Sequence, residues 1–434
     1  MDIRGVIAKK RDGRELATDE IAWTVNSYTQ GAISDAQMAA LLMAIVLRGM
    51  TARETADLTL AMLNTGDRLD LSSIPGTKVD KHSTGGVGDK TTLVVAPLVA
   101  SFGVGVPKMS GRALGHTGGT IDKLECVPGL KTELSPTRFA AQVAAIGVAI
   151  AAQSAQMVPA DAKIYALRNV TGTTESVPLI ASSVMSKKLA VGADGIVLDV
   201  KAGRGALVPD VASARKLATA MIEIGARAGK KMVAVVTRMD QPLGRAVGDA
   251  VELVEAIETL NGRGPRDFVA ICTLVAGHML TLGGVAADAR QGRAMAARAL
   301  RTGAGLAKLR ELVRAQDGDP TAVDDPAALT REATFVPVRC DTSGHVTGVD
   351  ARAIGETVRE LKSAAAERKP LCGLLLEKKV GDAVTAGETI ARVAIPRPIA
   401  TGSIERAARN IAGAFRISAT PRVRQRLLIA TLRA

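Results

Sequence analysis

Apolar residues in the first 66 positions recur at helical spacing, and polar residues that favour helix starts punctuate them. Thr18 opens onto Asp19 and Glu20, while Ser34 precedes Gln37 and Thr51 precedes Glu54 at the capping-box offset, so a helix start is predicted at each. Gly66 closes the block. Within it, the run MAALLMAIVLRGM from Met38 to Met50 is apolar on most faces and predicts a helix buried among others. Pro75 and Gly76 break the pattern at a first candidate hinge, ahead of VDKHSTGGVGDK, a short strand entering a glycine-rich loop.

From Lys90 onward, apolar runs at 91–104 (TTLVVAPLVASFGV), 148–153 (VAIAAQ), 195–200 (GIVLDV) and 231–237 (KMVAVVT) alternate with helical stretches such as 211–229. This is the pattern of β-α units around a mainly parallel sheet. Residues 161–190 interrupt it with a polar loop and further helix-prone sequence that can return to the helical block. After about residue 330, short strand-like runs and turns take over, ending in an Arg-rich tail. The fold class expected is therefore α/β. A small all-helical domain (1–66 and 161–190) joins a large, mainly parallel α/β domain (77–152 and 195–330) and a C-terminal α+β subdomain (331–434).

The chain's 434 residues, 47% hydrophobic and 23% charged, are enough for a folded protein with substantial cores and argue against disorder. Lys and Arg outnumber Asp and Glu by 56 to 43, a net charge of +13 that favours an anionic substrate or partner. Aromatic residues make up only 2%, so the stacking platforms of single-stranded nucleic-acid binders are nearly absent and nucleic acid is not expected. Cys126, Cys272, Cys340 and Cys372 are scattered and form no C-x-x-C pair, which fits a reducing compartment. The N-terminus has no apolar core of signal-peptide length, so the cytoplasm is expected. The uncharged stretch from Phe139 to Ala160 is rich in Ala and holds Gln142, Gln153, Ser154 and Gln156. It reads as a helix followed by a buried strand rather than a membrane span.

Candidate chemistry concentrates in two segments. In Asp80-Lys81-His82-Ser83-Thr84-Gly85-Gly86-Val87-Gly88-Asp89, consecutive glycines let backbone N–H groups converge on an anion while Lys81 adds charge and Ser83 a hydroxyl. A P-loop is excluded, because Thr84 and Asp89 stand where its glycines are required. The segment from Lys108 to Lys123, KMSGRALGHTGGTIDK, repeats the theme after an apolar run, as expected where open α/β sheets bind ligands beyond strand ends.

These two motifs together closely resemble the thymidine and pyrimidine-nucleoside phosphorylases. The likeness continues through Pro159-Ala160-Asp161, Tyr165-Ala166-Leu167-Arg168, Ser176 to Ser183, Lys187-Lys188, Asp199-Val200-Lys201 and Gln241-Pro242-Leu243-Gly244. It covers most of residues 1–330. The resemblance implies attack of phosphate on the anomeric carbon of a pyrimidine nucleoside, releasing free base and an α-pentose 1-phosphate. By the same resemblance, Lys81, Ser83, Thr92, Ser110 and Thr120, with Lys108 nearby, hold phosphate. Arg168, Ser183 and Lys187 hold the base, with Tyr165 lining its pocket. His82 donates a proton or hydrogen bond to the base O2, a role suited to a near-neutral pKa. Arg168 and Lys187 would stabilise negative charge gathering on the departing base. The resemblance further implies a homodimer formed through the helical domain. It also implies a potassium site of backbone carbonyls at Gly88, Lys90, Leu243 and Ala246 with the Glu255 carboxylate. Lys108, where thymidine-specific members tend to have Met, points to the broader enzymes that accept uridine as well as thymidine.

Taken singly these residues have plainer readings: Lys187-Lys188 as a solvated helix face, Arg168 as a surface arginine, His116 as a residue ordering its loop, His278 and His345 as structural or exposed. Arg422, Arg424 and Arg426 read as a solvated basic face. Three departures from the family pattern stand out. Lys90 replaces a small hydroxyl or apolar residue, and its ammonium would occupy or repel a nearby monovalent cation. Arg204 replaces a small residue in the Lys201 loop. Residues 355–369 lack the family's glycine-rich turn. A phosphoribosyltransferase, or a non-catalytic nucleoside-binding relative, is the alternative reading.

Overall fold

The computed structural model describes residues 1–434 except 114, 155, 366–368, 397–399 and 424. Four helices open the chain: Ile3–Arg11 (α1), Thr18–Thr29 (α2), Asp35–Arg48 (α3) and Ala52–Leu63 (α4). Ser34 and Gln37, and Thr51 and Glu54, form the capping boxes expected of them. At α2 the cap lies one residue earlier than expected: Ala17 is the cap, and its N–H donates to Glu20 Oε2 at 2.7 Å. Glu54 does double duty, since buried Oε1 also accepts from Lys10 Nζ and from the Leu16 N–H, both at 2.8 Å, fastening α1 to α4.

The chain then enters the sheet through Val79–Ser83 (β1), Thr91–Ala100 (α5), Val106–Ser110 (β2), Thr120–Leu124 (α6), Pro136–Ile146 (α7) and Val148–Ala152 (β3). It returns to the helical bundle as Pro159–Thr171 (α8) and Val177–Ala190 (α9), then resumes with Gly195–Ala202 (β4), Val211–Arg227 (α10), Lys231–Arg238 (β5) and Ala246–Val247 (β6). Next come Asp249–Leu260 (α11), Arg266–Leu282 (α12), Ala289–Thr302 (α13), Ala304–Ala315 (α14) and Thr321–Asp324 (α15). The remainder is Thr334–Arg339 (β7), Gly344–Val349 (β8), Ala351–Ala364 (α16), Gly373–Leu376 (β9), Ala383–Val384 (β10), Thr389–Ile395 (β11), Thr401–Ala414 (α17), Phe415–Ser418 (β12) and Leu428–Arg433 (β13).

Strands β1, β4 and β5 pair in parallel, as do β2 and β3, and a parallel bridge between Lys78 and Gly105 joins the two groups. β13 adds to the edge of β5 in antiparallel sense, so the last strand leaves the C-terminal unit and closes the main sheet. That unit is tied back a second time, where β9 pairs with β6. The run at 91–104 folds as the helix α5 over Thr91–Ala100, and not as the strand that its apolar texture suggests. Every residue of α5 is buried, so hydrophobicity has no helical period to reveal, and its β-branched residues bias a local reading toward strand. Its start is set by Asp89, whose Oδ1 accepts from the Thr91 N–H at 3.1 Å and from Thr91 Oγ1 at 2.7 Å.

Helices α8 and α9 pack against α2, α3 and α4. The segments that cross between bundle and sheet lie side by side. The Asp67 N–H donates to Gln156 O at 3.0 Å and the Leu69 N–H to Ala190 O at 2.9 Å. A Cβ on Gly66 would fall 2.3 Å from Gln156 O, so only glycine allows that approach. α3 is not buried all round: Met38, Leu41, Leu42 and Ile45 enter the core, while Ala36, Ala40, Met43 and Leu47 form an exposed stripe at helical spacing, Leu47 being 74% exposed. Helix α16, where the family's glycine-rich turn is lacking, packs through Gly355 onto the His116 carbonyl, leaving no room for a Cβ. Arg204 pairs with Asp350 at 2.7 Å, so its departure docks the Lys201 loop against the C-terminal unit.

Candidate active site at the ends of the parallel strands

β1 and β2 run equally far beyond the Lys78–Gly105 bridge, so the loops after Ser83 and Ser110 begin side by side. Lys81 is buried and donates through Nζ to Thr92 Oγ1 at 3.4 Å and, closer, to Thr91 Oγ1. Ser83 Oγ donates to Asp89 Oδ2 and accepts from the Gly85 N–H at 3.2 Å. Among the described residues the Ser110 and Thr120 hydroxyls have no hydrogen-bond partner; Ser110 ends β2 and Thr120 opens α6, whose cap is Gly119. The candidate phosphate residues therefore gather at one end of the sheet. Asp89, which was not among them, organises their loop.

Charge at this end of the sheet is lopsided. Asp80 pairs with Lys188 and Asp199 with Lys201, at 2.8 and 2.6 Å, all four side chains being buried. Lys123 pairs with Glu252 at 2.7 Å and donates to the Asp89 carbonyl at 2.8 Å. Burial works against the Asp89 carboxylate, yet Lys81 and Lys201, with hydrogen bonds from Ser83 and Thr91, hold it well below the usual carboxylate range. Among the described residues Lys108 has no carboxylate of its own. Its Nζ donates to Met109 O at 2.7 Å, and burial together with the Lys188 ammonium pushes it well below the ordinary lysine range. Burial also lowers Lys81, against the pull of Asp89 and Asp199.

On the bundle side, Arg168 is no surface arginine. Its buried guanidinium donates to three carbonyls in the loop between α8 and α9 and the start of α9: Thr173 at 3.1 Å, Leu179 at 3.1 Å and Thr174 at 2.7 Å. It lies 5.9 Å from the centroid of the Tyr165 ring. Lys187 Nζ donates to Ser183 Oγ at 3.0 Å, one helical turn away, and pairs with Asp161 on α8. The next residue, Lys188, points the other way, into the sheet. Lys187 is near enough to join Lys188, Lys108 and Lys81 in opposing a charge on His82. Burial first, and these ammonium groups second, hold the His82 imidazole well below its ordinary range, with a buried Nε2 that has no partner among the described residues. That direction runs against the near-neutral pKa expected of a proton donor. In the protein without ligand His82 is neutral at physiological pH, and an N–H hydrogen bond is what it has to offer.

Residues 75–306 match the glycosyl transferase family a/b domain and residues 4–66 the helical bundle domain. The chain is 48% identical over 420 residues to the pyrimidine-nucleoside phosphorylase of Geobacillus stearothermophilus, covering 96% of both chains. With that of Bacillus subtilis (strain 168) it shares 48% over 389 residues, 89% of this chain and 90% of the other. The chain belongs to the pyrimidine-nucleoside phosphorylase family. The fold reaches further: the crystal structure of anthranilate phosphoribosyltransferase from Thermus thermophilus aligns with a TM-score of 0.59 at 22% identity, over 73% of this chain and 99% of that one. That likeness is one of fold alone.

This member of the pyrimidine-nucleoside phosphorylase family departs from the expected potassium site in one respect. The donor set is built, and an ammonium sits in it. Lys90 Nζ lies 3.0 Å from Leu243 O, 2.9 Å from Ala246 O and 2.7 Å from Glu255 Oε1. Gly88, with φ of 76°, brings its backbone against the same carbonyls: a Cβ there would fall 2.6 Å from Leu243 O and 3.2 Å from Ala246 O. A second cation about 4 Å from this charge would be repelled by roughly 4 kcal/mol at an effective dielectric near 20. A potassium ion does not fit these residues.

Asp89, Lys188, Lys201 and Asp161 carry much of the geometry, and each lies inside or beside a motif without standing among its expected site residues. Their signal was alternation of charge within the motif. What the sequence lacked was the partner across the fold.

The lysine surplus makes a direct prediction. A phosphate dianion placed among Lys81, Lys108 and His82 raises the depressed pKa values of Lys108 and His82, so phosphate binding takes up protons from solution. Calorimetry at about pH 8, where phosphate is already mostly dianionic, in two buffers of different ionisation enthalpy should show this uptake as a buffer-dependent heat. Equal heats in both buffers would mean that these groups carry their protons beforehand.

Proposed function

We propose that this protein is a pentosyltransferase that cleaves uridine, deoxyuridine and thymidine with inorganic phosphate. The products are free base and α-D-ribose or 2-deoxyribose 1-phosphate. The observation that carries the reading is that α9, bearing Ser183 and Lys187, is fastened through Lys188 to Asp80 and Met109 O on the two strands that hold buried Lys81 and Lys108 and lead into the glycine loops. Phosphate, held by Lys81, Ser83, Thr92, Ser110 and Thr120 with Lys108 alongside, presents an oxygen to the anomeric carbon. As the C1′–O bond forms, the C1′–N1 bond breaks and its electron pair passes into the pyrimidine ring and its carbonyl oxygens. Arg168, Ser183 and Lys187 receive that charge, Tyr165 walls the base, and the neutral His82 hydrogen-bonds O2. Arg168 keeps N–H groups beyond the three bonded to carbonyls, so it can serve a base without giving up its anchors.

Lys108 supports breadth of substrate, as do the names of the relatives. A phosphorylase confined to deoxynucleosides is the second reading. Phosphate is the co-substrate. The protein acts in the cytoplasm; among the described residues no helix is long and apolar enough to cross a membrane. It works as a homodimer formed through the exposed stripe of α3, where Met43 and Leu47 offer an apolar face that a second copy would cover.

Phosphate-dependent release of base from uridine, deoxyuridine and thymidine, assayed side by side, should be seen for all three. Release from the deoxynucleosides alone would replace the broad reading with the narrow one, and release from none would overturn both. Leu47→Glu places a charge in the proposed interface and should convert a dimer to a monomer in sedimentation velocity with the thermal midpoint of the monomer intact. A wild-type monomer, or a dimer that survives the substitution, would contradict the interface.

A further inference from the structure

The Lys90 ammonium is bound as a metal ion would be, and it is covalently part of the chain. We propose that Lys90 is a tethered cation that renders this protein independent of potassium and couples the phosphate loop to the 242–246 segment. An ammonium has three protons to donate, and Leu243 O, Ala246 O and Glu255 Oε1 supply three acceptors at 2.7–3.0 Å, so it is fully satisfied. The Phe268 ring stands 5.1 Å away, on a buried side of the site. Gly244, at φ of 72°, completes the enclosure: a Cβ there would fall 3.0 Å from Lys90 Nζ and 2.0 Å from Glu255 Oε1.

The same short segment is gripped from its other side. Lys379 Nζ donates to Pro242 O, to Gly244 O at 2.7 Å and to Asp267 Oδ2 at 2.8 Å. Lysines from two parts of the chain thus alternate along the carbonyls of 242, 243, 244 and 246. Glu255 meanwhile accepts from the N–H groups of Arg245 and Ala246, at 2.8 and 2.9 Å, so its carboxylate bonds the segment's N–H groups as well as the Lys90 ammonium. Lys90 caps α5, directly after Asp89 and before Thr91 and Thr92, which receive Lys81. Removing the charge therefore loosens the anchor of the candidate phosphate residues without touching them. Lys90 acts as a positioning residue.

Two measurements decide the matter. For the wild-type protein, the thermal midpoint and the rate of phosphorolysis should be the same in potassium and in choline chloride of equal ionic strength. Lys90→Thr vacates the cage and supplies a hydroxyl. It should lower the midpoint and raise the KM for phosphate by about ten-fold more than it lowers kcat, and potassium, rubidium or thallium(I), but not choline, should restore both saturably. A saturable rise of the wild-type midpoint with potassium would overturn the proposal, and this arm needs no variant to fold. A folded Lys90→Thr protein that is indifferent to all three ions would overturn it too. The thermal readout involves no nucleoside, so its outcome is separate from that of the proposed activity.

Discussion

Buried lysines at the ends of β1, β2 and β4 set the terms for everything else. Lys81, Lys188 and Lys201 are each buried within reach of Asp80, Asp89 or Asp199, and Lys108 joins them with no carboxylate of its own among the described residues. Burying a charge without a partner costs several kcal/mol. Under the proposed function, a small dianion is the group that completes this assembly. Burial first, and the surplus second, depress His82 and Lys108, and the proposed anion explains the loops rich in glycine, whose backbone N–H groups can approach it.

The rest of the fold holds that surplus in place and brings Lys187 of α9 close enough to act on His82. The bundle joins the rest of the chain at crossings packed side by side at 66–69, 156–157 and 190–192, and α9, which carries Lys187, is fastened to β1 and β2 through Lys188. Under the proposed function, binding energy from the base is gathered on the helices and from phosphate at the strand ends, and bringing the two together is where orientation of the reactants can be gained. The C-terminal unit braces the phosphate side, through Gly355 against His116, Arg204 with Asp350, and β13 at the edge of the sheet.

Much of this was legible in sequence because the signals are local. Capping boxes at Ser34 and Thr51 mark helix starts with the same side chains that the structure uses. Glycines alternating with Lys81, Ser83, Lys108 and Ser110 mark a candidate anion site before any strand order is known. Illegible were the features set by contacts far along the chain. α5 has no polar face, so its period is invisible. β13 is assigned to the main sheet only by its edge pairing with β5. Asp161 and Lys188 acquire meaning only opposite Lys187 and Asp80. Lys90 lies between these cases: its oddity shows in the sequence, while its seat among Leu243, Ala246 and Glu255 needs the fold.

The most direct test of the charge surplus is the titration of His82 itself. In protein labelled with ¹⁵N at histidine, with His82→Asn identifying the resonance, the His82 nitrogens should report a neutral ring down to pH values well below about 6.5 without phosphate, and an upward shift of that titration when phosphate is added. An ordinary titration near about 6.5, unmoved by phosphate, would contradict the account.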